Sequence, residues 1–248
     1  MSLFAPGRRS EVQAVLRRWA DEDPAIVAAA VVGSEARDAV DRWSDIDLTF
    51  AVDDVAARDG TLARWTARME GELQAVALFD VSRGLTIYRV FLLPDALQVD
   101  LSFSPAEGFG PKGPDFRLLF GTASPPPPPA AAPVASWLGE AVHHALRARI
   151  AVERGRPWQA AFWIQTVQQL AISLACAKRG LAPHHGRGVD ELPADVLARL
   201  AQVDTASQAR DEQLRALRAA MDVLVAEAGD ASPLLDRVAA PLDAILSP

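Results

Sequence analysis

Three acidic residues carry the first chemistry this sequence offers. Asp45 and Asp47 stand two apart in Asp45-Ile46-Asp47, and Asp100 interrupts the apolar Val99-Asp100-Leu101. On a strand, residues two apart leave the same face. Burying one carboxylate without compensation is costly, and several on one sheet face repel unless a cation joins them. Clustered carboxylate oxygens suit Mg²⁺, which takes a few carboxylates together with phosphates and water. Two ions held by shared carboxylates form a clamp for in-line phosphoryl or nucleotidyl displacement. Upstream, separated from Asp45 by ten residues, lies Gly33-Ser34. A glycine there lets a phosphate approach the backbone, and a serine adds a hydroxyl donor. Taken singly, a D-x-D pair also suits solvated turn acids, and Ser34 also suits a helix N-cap. Asp100, amid Val99, Leu101 and Phe103, would otherwise need an arginine partner.

The elements that must position these residues follow from periodicity. Glu11–Ala20 places Val12, Val15, Leu16 and Trp19 at helical spacing, and Asp21-Glu22-Asp23-Pro24 stops it. Ala25–Val32 is a continuous apolar run that reads as a buried strand ending at Gly33. Ile46–Val52 is a second strand, Thr61–Leu73 an amphipathic helix and Leu85–Leu93 a third strand. Gln98–Phe103 is a fourth, and the short Pro94-containing connection implies an antiparallel hairpin with the third. Glycines and prolines dominate residues 104–133, which end in five consecutive prolines, Pro125–Pro129, and an alanine run. Such a run favours a stiff polyproline II spacer. From Val134 the pattern is helical throughout, over about 134–154, 157–179, 193–203, 207–228 and 233–246. The expected fold class is α+β, with a small mixed sheet of four or five strands over 1–124, a Pro/Ala-rich linker over 125–133, and an all-α bundle over 134–248.

Composition narrows the partners. The 248 residues carry a formal charge of −7. Residues 1–124 hold 13 basic and 19 acidic side chains, against 12 and 13 in the remainder. An acidic chain without a long basic run is poorly suited to nucleic acid, where affinity comes from neutralising phosphates. Its acidic half could instead attract a cationic small molecule. The single cysteine, Cys176, fits a reducing cytosol, and Met1–Ser10 has no apolar core of a signal peptide. Pro157–Ala177 carries four glutamines and a threonine, so it reads as a buried helix and no membrane partner is expected. A cytoplasmic monomer or homodimer is expected.

Gly33-Ser34, ten residues, Asp45-Ile46-Asp47 and the later strand acid Asp100 resemble the polymerase-beta-type nucleotidyltransferase superfamily. Arg37, in Gly33-Ser34-Glu35-Ala36-Arg37, matches the form common in its antibiotic-modifying branch, and the helical second half is similar in layout to the kanamycin- and lincosamide-type enzymes. Asp38 departs from the pattern, standing where many relatives carry glycine. The resemblance covers about residues 25–104. It implies that Asp45, Asp47 and Asp100 hold Mg²⁺, that Gly33, Ser34 and Arg37 contact the nucleotide, and that a nucleoside monophosphate, AMP from ATP, moves to a hydroxyl of a small acceptor such as an aminoglycoside. Asp100 or a glutamate of the helical half, Glu153 ahead of Glu140, would serve as general base. Arg187, between Gly186 and Gly188, reads as a guanidinium on a flexible loop that could reach the triphosphate or a base, and equally suits a solvated loop arginine. A second reading is an antitoxin-like protein adenylyltransferase fused to a HEPN-like ribonuclease domain, for which Arg179 and His184 have the R-x(4–6)-H spacing.

Overall fold

A computed structural model of the chain describes residues 7–113, 115–126, 134–205, 207–228 and 233–247. The chain divides into two compact units, Met1–Pro129 and Ala130–Pro248. The spacer expected over 125–133 lies mostly outside the described residues.

The first unit is a six-stranded mixed sheet with helices on one face. Helix α1 (Arg8–Glu22) opens at Gly7 and buries Val12, Leu16, Trp19 and Ala20, the stripe its spacing requires. Strands β1 (Ala28–Val32) and β2 (Ile46–Val52) follow. Helix α2 (Val55–Leu73) is capped by Asp54, whose carboxylate accepts the Ala57 amide at 2.8 Å. Strands β3 (Val76–Arg83), β4 (Thr86–Leu92), β5 (Gln98–Pro105) and β6 (Phe116–Phe120) complete the sheet. The strand order is β3-β4-β5-β2-β1-β6. β2 and β5 run parallel, and every other neighbouring pair is antiparallel, including the expected β4–β5 hairpin.

Two of these strands are not expected from the sequence. β3 is an edge strand whose Val76, Leu78, Phe79 and Val81 are all exposed. Without a buried face it has no alternation to read. β6 is five residues inside the glycine- and proline-rich stretch that reads as a boundary; it forms the other edge, against β1. The helix expected at Thr61 begins six residues earlier, because Asp54 supplies a cap before the apolar stripe starts.

Alternation along the central strands fixes which face carries the acids. Ile46, Leu48, Phe50 and Val52 of β2 and Val99, Leu101 and Phe103 of β5 pack on Leu16 and Trp19 of α1 and Trp65 and Met69 of α2. Trp65 lies edge-on to Phe103, with ring centroids 5.7 Å apart, and its Nε1 donates to Asp23 at 2.9 Å. Each such side chain stabilises by about 1.5–3 kcal/mol relative to exposure. A one-residue slip of β2 would exchange this set for Asp45, Asp47 and Thr49, so core burial holds the carboxylates on the opposite face.

The second unit is all helical among the described residues. α3 (Val134–Glu153), α4 (Pro157–Ala177), α5 (Ala194–Leu200), α6 (Arg210–Ala228) and α7 (Pro233–Leu246) share one core. Small residues, Ala141, Ala145 and Ala148 on α3 and Ala171 and Ala175 on α4, line that core. α4 packs against α3 and α6. By length and composition α4 alone among the described residues could cross a membrane, and 44% of its most apolar window is buried inside the protein. The helix expected to run to 203 tightens into a 3₁₀ turn at Ala201–Val203. Glu227, almost wholly buried, receives Arg179 at 2.7 Å and Arg199 at 3.1 Å, which ties α6 to the α4 terminus and α5.

Candidate functional site

The parallel pairing of β2 and β5 sets Asp47 directly beside Asp100. Asp45, one residue ahead of β2, leaves the same face. One carboxylate oxygen from each of the three lies within 4.8 Å of the others, and all three are partly buried. Burial pushes Asp100 up to about 6; a hydrogen bond from Gln98 opposes this, and the charge of Asp45 adds to it. That bond runs from Gln98 Nε2 to Asp100 Oδ1 at 2.9 Å. A carboxyl pushed up by burial and by a like charge is stabilised when a cation comes to lie among the three oxygens, so the donor set fits a hard divalent ion.

Gly33 ends β1 in the left-handed region, φ +67°. A Cβ there would lie 2.5 Å from Asp47 Oδ2. The glycine therefore makes room for a carboxylate of the cluster, a role its sequence position does not announce. Ser34 is helical, its hydroxyl makes no cap hydrogen bond, and its carbonyl accepts the amides of Arg37 (3.3 Å) and Ala39 (2.9 Å). The expected helix-like turn is one 3₁₀ turn, Glu35–Arg37. Arg37 pairs with Asp115 at 3.4 Å and is half exposed. Asp38 has φ +55° and pairs with Arg117 at 2.6 Å. It occupies a left-handed position that glycine fills without strain and that aspartate tolerates better than most residues.

A second set of contacts, not anticipated from the sequence, braces this turn. Glu35 is largely buried and receives Arg9 Nη2 at 2.9 Å, Arg17 Nη2 and Gln13 Nε2, with Arg117 at 3.8 Å. Arg9 also donates from Nε to the Asp45 carbonyl at 2.9 Å and from Nη1 to Gln13 at 2.9 Å. Separations of 26 and 36 residues leave no local signal for these pairs.

The remaining candidates belong to the second unit. Glu153 accepts from Arg149 at 2.7 Å and from Arg210 at 2.8 Å. The Arg210 bond, with Arg149's, holds its carboxyl below the usual range, which weakens it as a proton acceptor. Glu140 accepts from Ser136 at 2.9 Å. Arg187 is exposed; of the glycines beside it, a Cβ on Gly186 would meet no atom within 4 Å, whereas a Cβ on Gly188 would lie 2.8 Å from Leu181 Cβ, so Gly188 serves close packing. Arg179 commits its guanidinium to Glu227 and the Ala175 carbonyl, and His184 is exposed in a 3₁₀ turn.

The Asp100 environment predicts how stability follows pH. Its proton affinity is higher folded than unfolded, where a carboxyl titrates near 3.9. The metal-free fold therefore gains from protonation below about pH 4 and loses that gain as pH rises through about 6. The contribution is on the order of 1–2 kcal/mol after allowance for the solvated part of the group. Asp100→Asn should flatten the difference in melting temperature between pH 5 and 7.5, measured in chelator; an unchanged difference would refute the assignment.

No family model matches the chain, and no curated protein matches it. Among solved structures it is similar to an aminoglycoside 6-adenyltransferase from Bacillus subtilis, at 11% identity and a TM-score of 0.42, over 97% of this chain and 99% of that one.

Proposed function

We propose that the chain is a Mg²⁺-dependent nucleotidyltransferase that moves a nucleoside monophosphate, AMP from ATP, to a hydroxyl of a cationic small molecule such as an aminoglycoside. The observation that carries this reading is the meeting of Asp45, Asp47 and Asp100 on one sheet face, with Gly33 packed against Asp47. The spacing G-S-x(10)-D-x-D, which resembles the nucleotidyltransferase superfamily, supports it independently.

Asp45, Asp47 and Asp100 would hold the ion. Bound there, Mg²⁺ would neutralise phosphate charge and orient the nucleotide. Gly33, Ser34 and Arg37 would receive the phosphates, through backbone amides, the serine hydroxyl and the half-exposed guanidinium. The acceptor oxygen attacks the α-phosphorus, the bond to the β-phosphate oxygen breaks, and pyrophosphate leaves. Asp100, the strand acid of the cluster, would take the acceptor's proton, with its proton affinity set by the ion held beside it. Glu153, held by two arginines, is less suited. The excess acid in residues 1–124 supports a cationic acceptor over nucleic acid.

A pyrophosphate-release assay tests this, pairing each of the four NTPs with aminoglycosides, neutral sugars and peptides, with products identified by mass spectrometry. Release with ATP, dependent on Mg²⁺ and on a cationic hydroxyl compound, is expected. Labelling of protein hydroxyls alone would overturn the acceptor assignment. No release with any pair would overturn the reaction.

A further inference from the structure

Glu35 gathers more positive charge than it needs. Its largely buried carboxylate faces Arg9, Arg17 and Arg117, and Gln13 donates to it as well. For neutralising one carboxylate, Arg17 and Arg117 would suffice. Arg9 differs in what else it holds. Three of its nitrogens serve three partners: Nη2 the Glu35 carboxylate, Nη1 Gln13 of its own helix, and Nε the backbone carbonyl of Asp45, each at 2.9 Å. Its side chain is 15% exposed. Through one planar group α1 is tied both to the turn after Gly33-Ser34 and to the residue that opens Asp45-Ile46-Asp47.

From this geometry we infer that Arg9 is a positioning residue for the acidic cluster, fixing the distance between the Gly33-Ser34 turn and the Asp45 backbone. The inference rests on the reading of Asp45, Asp47 and Asp100 as a divalent-ion site. A guanidinium suits the task because its donors diverge at fixed angles in one plane. A lysine donates from a single nitrogen; drawn to the Glu35 carboxylate, it lacks the second, separately placed donor that holds the Asp45 carbonyl. Asp45 lies one residue outside β2, where no strand pairing holds it. An outside tether therefore matters more to Asp45 than to Asp47 or Asp100, which sit in ladder register with each other. Outer contacts that orient metal-binding carboxylates commonly change metal affinity by about 10–100-fold when removed.

The test compares Arg9→Lys with Arg17→Lys, using Mn²⁺ alone as probe in electron paramagnetic resonance titrations, with thermal melting of each protein. Both variants keep a cation on Glu35, and only the first loses the Asp45 tie. Arg9→Lys should weaken Mn²⁺ binding about 10-fold while Arg17→Lys stays within about twofold, at similar melting temperatures. Arg9→Met, which carries no donor, should weaken binding at least as much as Arg9→Lys and more than Arg17→Met, and this pair serves where the lysine variant does not fold. Equal Mn²⁺ affinity in the Arg9 and Arg17 variants would overturn the inference and leave the ion site standing. Wild-type protein that binds no Mn²⁺ would overturn the ion site and the inference with it.

Discussion

Asp47→Ala is expected to abolish Mg²⁺-dependent transfer, a fall of about 10³-fold or more, while the metal-free protein melts at a higher temperature. The two effects have opposite signs for one reason. Asp47 stands in register with Asp100 and within a few ångströms of Asp45, so it is one of three like charges held together by the fold. On the proposed mechanism, turnover draws on all three oxygens for the ion; removing groups that meet charge in the transition state costs on the order of 10²–10³ each. Without the ion, that proximity is a repulsion, and its relief raises melting by a few degrees, since about 1 kcal/mol corresponds to roughly 2–4 °C in a chain of this size. Asp45→Ala should behave in the same way. Steady-state rates across a Mg²⁺ titration and calorimetric melting in chelator measure the pair of effects. Near wild-type turnover in both variants would remove the acids from the mechanism.

Gly33→Ala should damage the site more than the fold. Two costs meet at this position. An alanine at φ +67° carries backbone strain of about 1–3 kcal/mol, and its Cβ would lie 2.5 Å from Asp47 Oδ2. The carboxylate is the tip of a side chain, so the cheaper response is for Asp47 to rotate away. The fold survives and the cluster loses an oxygen. Gly84→Ala separates the two costs: Gly84 has φ +59°, and no atom lies within 4 Å of the place an alanine methyl would take. Both variants should lose similar melting temperature, but only Gly33→Ala should weaken Mn²⁺ binding, by about 10-fold or more. Parallel losses of binding in the two would show that strain alone, and not the Asp47 contact, is at work.

How much of this can be read from the chain depends on the kind of pattern each part leaves. β2 has the bounds its alternation predicts, because Ile46, Leu48, Phe50 and Val52 are core residues and Asp47 and Thr49 are not. The start of α2 escapes such a reading because Val55–Gly60 has no apolar stripe and the cap that begins it is a single aspartate. β3 escapes it because both its faces meet solvent. Within the site, Asp100 is legible as a carboxylate at odds with its apolar strand, and Asp45 and Asp47 by their spacing from each other and from Gly33-Ser34. Glu35 and Arg9 are not, since a surface helix acid and a surface helix arginine look the same in a sequence. Only the folded chain brings them across 26 residues.

The lone parallel pair in the sheet has a consequence for how the protein acquires its native state. β2 and β5 are joined through α2, β3 and β4, and Asp47 and Asp100 are about fifty residues apart in the chain. Parallel neighbours need such a crossover, and pairings of large sequence separation form slowly. The third acid thus approaches the first two only when β5 docks beside β2. The electrostatic resistance that involves Asp100 falls on that docking. If docking is complete in the folding transition state, a divalent cation or the loss of one acid speeds refolding; if it follows the transition state, the same changes slow unfolding and leave the refolding rate alone. The acids that are expected to govern turnover are, by the sheet's topology, also a probe of when its central pair closes.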